Sequence, residues 1–306
     1  MRAALLARKG RRGDISVTQA PRALRFAGCC LGALAAMRLS AATSLQVDHI
    51  TVCGASLPEM RKMFGDVGIR TEYGGAHSNG ISEMALSSFK DGSYLELIAP
   101  VAGTDPSPHY WGAFMKANAG PCAWAIRGEA PARLERSAAD LKAAGVAVET
   151  EKAGRKRADG IELKWETARI GPPPQGSFFP FMIADQTPRD VRAFPSGEPT
   201  MPKMSGVGYV VVAVSNLADA IQKYRAAFGL PAPQRQEDPT LGAHLAWFRG
   251  TPAILASPAA PNGWLANRLK RFGETPCAFV LGASLWPARS RPSAWFGQTK
   301  IGRAHV

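Results

Sequence analysis

The chain has 306 residues, enough for two domains, and an ordinary apolar content of 46%. Its formal charge of +13 suggests a nucleic-acid binder, but the charge is badly placed for one. Residues 1–44 hold eight Arg/Lys against one acid, and residues 285–306 hold four Arg/Lys and no acid, which leaves +2 for everything between. Nucleic acid is therefore excluded as a partner. No run of about 18 apolar residues exists, so no membrane-spanning helix is expected.

In chain order, residues 1–44 are Arg-rich and acid-poor, with a short apolar run over Phe26–Met37. They read as an N-terminal extension: a targeting peptide, or sequence upstream of a true start at Met37. Val47–Val52 alternates β-branched residues and predicts a strand. Leu57–Asp66 spaces Met60, Met63 and Phe64 for one helical face. Strands follow at Ile69–Tyr73, Glu83–Phe89 and Tyr94–Ile98, with Asp91-Gly92 as the last turn. The order then recurs: a strand at Cys122–Arg127, a helix from Pro131 to Gly145, and strands at Val146–Glu151, Gly160–Arg169 and Phe178–Ala184. Arg155-Lys156-Arg157 falls between two of these strands and reads as a solvated loop, with anion binding as the alternative.

A longer repeat overlies the shorter one. Val47–Val52 aligns with Val207–Val212, Gly92–Pro100 with Gly250–Pro258, and Pro121–Trp124 with Pro276–Phe279, at offsets near 155–160 residues. The expected organisation is an extension at 1–44, a complete domain at 45–190 (modules 45–105 and 120–190), a linker at 191–202, and a truncated copy at 203–284. The last six residues, Ile301–Val306, read as a translated sequencing adapter, so 285–306 is expected to be an aberrant tail. The five cysteines lack a framework spacing. Cys53, Cys122 and Cys277 sit in apolar runs and read as small buried hydrophobes of a reducing compartment, which places the chain in the cytoplasm; a genuine targeting peptide would instead export it or send it to an organelle.

Three segments carry a family resemblance: Val47-Asp48-His49-Ile50-Thr51-Val52, Gly74-Gly75-Ala76-His77, and Asp91-Gly92-Ser93-Tyr94-Leu95-Glu96-Leu97-Ile98-Ala99-Pro100. The sequence resembles the glyoxalase-like domain family of the vicinal-oxygen-chelate superfamily. That resemblance implies an α+β fold in which paired βαβββ modules form a cupped mixed sheet with flanking helices, the second tandem copy being truncated.

It also implies chemistry. His49 and Glu96 stand at the superfamily's usual metal-ligand positions, and an imidazole with a carboxylate suits Zn, Fe, Mn or Ni. Ala123 or Trp124 and Pro180 or Phe181 occupy the matching places of the second module, and none can ligate. His77 and Glu83 are left as third ligand or general base. Trp124, Trp165 and Phe181 are expected to line the pocket. The implied function is a metal-dependent lyase, isomerase or dioxygenase acting on a small oxygen-rich substrate. The alternative is a metal-free module that binds or sequesters a small molecule and keeps a vestigial metal site. A homodimer is the expected assembly.

Overall fold

The computed structural model describes residues 45–128 and 130–282. The expectations for 1–44 and 285–306 fall outside the described residues. The first half runs β1 (Val47–Cys53), α1 (Leu57–Asp66), β2 (Glu72–Ala76), β3 (Ser82–Ser88) and β4 (Tyr94–Pro100). A short α2 (Gly112–Lys116) leads into β5 (Gly120–Arg127), α3 (Pro131–Ala143), β6 (Val148–Lys156), β7 (Glu162–Ile170) and β8 (Phe181–Asp185). After a short α4 (Arg189–Ala193) come β9 (Val207–Ala213), α5 (Leu217–Phe228), β10 (Gln234–Asp238), β11 (Ala243–Trp247), β12 (Ala253–Pro258), α6 (Trp264–Phe272) and β13 (Pro276–Leu281). No described helix is long and apolar enough to cross a membrane.

Local chemistry accounts for the helices. The Ser56 hydroxyl accepts from the Glu59 N–H to cap α1, which buries Leu57, Met60 and Phe64. Asn216 caps α5 through the N–H groups of Ala218 and Asp219, and the helix stops at left-handed Gly229. The helix predicted from Pro131 starts there and buries Leu134, Ala138 and Leu141.

The first eight strands form one mixed sheet in the order β2-β3-β4-β1-β5-β8-β7-β6. β1 lies parallel to β4 and antiparallel to β5, and β5 lies parallel to β8. This is the α+β cupped sheet expected from the sequence. A second sheet, β10-β11-β12-β9-β13, follows the same order as β2-β3-β4-β1-β5. Alternation along each strand separates two environments. Ile50, Leu95, Leu97, Trp124, Ile126 and Met182 face α1, α3 and the second sheet in one large core. On the other face, Trp111, Phe114, Met115 and Phe181 pack around α2, while Met84, Leu86, Tyr94 and Phe194 pack behind α4. Two apolar plugs therefore close the ends of the cup and leave a polar middle.

The sheet nearly closes on itself. Its two edge strands, β2 and β6, meet where Arg155 Nη1 donates to the Gly74 carbonyl at 2.7 Å. Gly75 has φ of +110°, and a Cβ there would stand 3.3 Å from the Lys156 carbonyl. The Gly-Gly pair thus permits a backbone approach that a side chain would obstruct.

Three expectations need correction. β2 begins at Glu72 rather than Ile69, which is buried in the core instead. β6 runs on to Lys156, so Arg155 is a strand residue and not part of a loop. Cys53 and Cys122 are disulfide-bonded with Cα atoms 6.0 Å apart, because β1 and β5 are antiparallel neighbours. Cys277 is free and buried, and burial pushes its thiol up to about 12. With a disulfide present, the cysteines no longer speak for a reducing compartment.

Candidate functional site

The polar middle of the cup contains a cavity of about 110 Å³. His49, His77, Tyr94, Glu96, Arg155, Trp165, Phe181 and Arg192 are among its walls. β1 supplies the base of the site. Adjacent residues on a regular strand point to opposite faces, but the β1–β5 register shifts between Val47 and His49. That bulge lets Asp48 Oδ1 reach His49 Nδ1 at 2.7 Å. The His49 ring stacks on Tyr94 with centroids 4.8 Å apart and meets Phe181 edge-on at 5.4 Å.

Asp48 has no solvent exposure. Arg192 Nη2 donates to its Oδ2 at 2.6 Å, and Arg189 Nη1 lies 2.5 Å from the same oxygen. Arg192 also holds Asp185 through Nε and the Tyr94 hydroxyl through Nη1. Burial raises the Asp48 carboxyl, but Arg192, Arg189 and the His49 contact outweigh it and hold the group well below the usual carboxylate range.

Glu96 projects from β4 between two imidazoles. His49 Nε2 stands 3.6 Å from its Oε2, and His77 Nε2 stands 3.4 Å from its Oε1. Thr51 donates to Oε2 at 3.0 Å. Burial raises this carboxyl as well, yet His77, His49 and Thr51 bring it down to about 2, so it is ionised at neutral pH. His77 Nδ1 is 2.9 Å from the Ser82 hydroxyl. His109, behind the site, accepts from the Trp111 N–H, and burial with a contribution from His77 lowers it to about 4.

A divalent metal is the group this donor chemistry suits. Asp48 on His49 Nδ1 leaves Nε2 free for a ligand, the outer-sphere arrangement common around metal-bound histidine. The spacing does not match the chemistry. Each imidazole faces a different oxygen of Glu96, so the donors lie in a row rather than around a point. Among the described residues no group of three or more His, Cys, Asp or Glu is arranged to hold a metal ion. As arranged, the residues do not fit a metal centre, and no chemical step is derived through one.

The structure sorts the residues predicted for the site. It brings together His49, His77 and Glu96, with Trp165 and Phe181 on the same cavity. Glu83 is absent from it: alternation along β3 turns Met84 into the cup, and Glu83 accepts from Tyr73 in an outer groove with Arg61 and Arg70. Trp124 is absent as well, because Ala123 and Ala125 are the cup-facing residues of β5 while Trp124 lies in the large core. Sequence reasoning missed Asp48 and Arg192, and it put Arg155 in a loop rather than on the strand that faces the cavity. The available signal was an acid inside an apolar strand, as at Asp48, whose cost demands a partner.

Comparison with known proteins agrees with the architecture. A glyoxalase-like domain family model matches residues 47–207. No curated protein matches the sequence. A hypothetical protein from Staphylococcus aureus, 15% identical, aligns over 70% of this chain and 86% of its own with a TM-score of 0.53, and so shares the fold. Also similar are a mutant of 4-hydroxymandelate synthase from Streptomyces coelicolor (14% identity, 78% of this chain, 70% of that chain, TM-score 0.48) and 2,2',3-trihydroxybiphenyl 1,2-dioxygenase from Sphingomonas wittichii (15%, 70%, 68%, 0.41). The family match spans more than half of the chain and coincides with the eight-stranded cup, so this protein belongs to the glyoxalase-like domain family.

Proposed function

We propose that the cup binds a small oxygen-rich molecule, with its oxygens received by His49, His77 and Glu96. The observation that carries this reading is an ionised carboxylate flanked by two imidazoles on the wall of a cavity that also holds aromatic rings. Such a wall offers both donors and an acceptor to a hydroxyl or carbonyl. Trp165, Phe181 and Tyr94 supply the apolar contact that small-molecule sites need. Thermal melts with a panel of small hydroxy and oxo compounds test the reading. Stabilisation that disappears in Glu96→Gln supports it. Equal stabilisation of both proteins removes it.

A metal-dependent lyase, isomerase or dioxygenase is the second reading, and one observation favours it. With its Nδ1 hydrogen committed to Asp48, a neutral His49 presents a bare Nε2 lone pair to the Glu96 carboxylate. A cation between them, proton or metal, removes that repulsion. Metal analysis of the purified protein after exposure to Zn, Fe, Mn and Ni decides the matter. Stoichiometric metal lost in His49→Ala supports the reading. No bound metal, together with ligand binding unchanged by a chelator, eliminates it.

A further inference from the structure

Arg155 occupies an unusual position for a guanidinium. β6 turns Glu151, Ala153 and Arg155 toward the cavity, and Arg155 is 8% exposed. Its hydrogen bonds go to two carbonyls: Nη1 to Gly74 at 2.7 Å and Nη2 to Arg192 at 3.4 Å. These use two of the five donors that a guanidinium carries. It forms no ion pair with any described carboxylate.

The neighbouring charges are already engaged. Arg192 is matched by Asp48 and Asp185. Glu151 is paired with Arg169, which shares its face of β7 with Trp165 and Thr167. Glu96 attracts Arg155 across the cavity, but its oxygens are held by Thr51 and faced by His49 and His77. A buried charge without a bonded counter-ion is costly to keep. The cavity wall therefore carries both a guanidinium whose two hydrogen bonds leave N–H groups over and a carboxylate–imidazole group.

We infer that Arg155 is the carboxylate-binding group of the cup, and that the ligand is a small carboxylic acid carrying a hydroxyl or carbonyl oxygen. The acid end sits on Arg155 through charge-assisted hydrogen bonds, and the second oxygen meets the His49–Glu96–His77 wall. The cavity limits the size, since a space of about 150 Å³ accommodates benzene. The inference rests on the cup being a binding site, as proposed above.

Paired probes separate the two ideas. Affinities of the wild-type protein for glycolate and lactate are compared by calorimetric or NMR titration with those for glycolamide and lactamide, which keep the shape and lose the charge. The expected result is that an acid binds about tenfold or more tightly than its amide, the scale of a charged hydrogen bond. Arg155→Gln is expected to erase that ratio by lowering acid affinity far more than amide affinity, and Arg155→Lys to keep part of it. The wild-type ratio tests the inference even if Arg155→Gln does not fold. Equal affinity for acid and amide, or a preference that survives Arg155→Gln, overturns the inference and leaves the cup reading standing. Binding of none of the four probes overturns both.

Discussion

Asp48 and Glu96 hold their charges out of water at the centre of the cup, and both carboxyls are lowered, Asp48 by Arg192, Arg189 and His49, Glu96 by His77, His49 and Thr51. A depressed folded-state value means stability that is present above the unfolded value and is lost as pH falls through the folded one. For Glu96 that window runs from 4.5 down to about 2. The midpoint of thermal unfolding should therefore hold steady above about pH 5 and fall below it. Glu96→Gln should flatten part of that decline, and an unchanged profile in the variant would contradict the assignment. Glu83 makes the opposite prediction. Its partner is the exposed Tyr73 hydroxyl, so Glu83→Gln should alter stability by no more than about 0.5 kcal/mol and leave probe binding intact. Loss of binding in denaturation and titration assays of that variant would return Glu83 to the site.

At the scale of elements, the seam between β2 and β6 depends on Gly75. Alanine there meets both a positive φ and the Lys156 carbonyl, at a cost of about 1–3 kcal/mol. Denaturant titration gives the magnitude, and hydrogen exchange should show lost protection confined to β2 and β6. Unchanged exchange at those strands would show that the seam does not need the glycine. The Cys53–Cys122 bond joins β1 to β5 across a sequence separation of 69 residues. Closing a loop of that length restricts the unfolded chain by about 4 kcal/mol in the entropic treatment. Full reduction should lower the unfolding free energy by that order, as measured with and without reductant under denaturant.

For the whole molecule, the large core is shared rather than divided. α5 places Tyr224 against Phe178, Phe179, Phe228 and Phe248, and its hydroxyl donates to the Phe178 carbonyl. Side chains from the segment that leads into β8 thus pack directly on the helix that covers the second sheet. Tyr224→Ala should destabilise the protein by about 3–5 kcal/mol, the range for deleting a large buried aromatic side chain. Both sheets should still unfold in one transition. Circular dichroism and peptide-resolved thiol labelling of Cys277, which is buried in the second sheet, should report the same midpoint. Separate midpoints would show two independently folding units.

Much of the fold could be read in the sequence, because strand and helix periods, caps and turns act over a few residues. Leu57–Asp66 and the start at Pro131 are set by Ser56, proline and apolar spacing, all local. Of the cavity lining, His49, His77, Glu96, Trp165 and Phe181 were legible from motif and position. Glu83 and Trp124 were misplaced because strand parity shifts with a one-residue change of register, and register is fixed by pairing partners distant in sequence. Arg155 read as a loop residue because only closure of β6 against β2 buries it. The disulfide was hidden for the same reason, since 69 residues separate two sulfurs that adjacent strands bring together. The sequence by itself determined the order of elements and the family. The tertiary structure decided which face each side chain serves and which charges share the cavity, because those depend on strand pairing across the whole sheet.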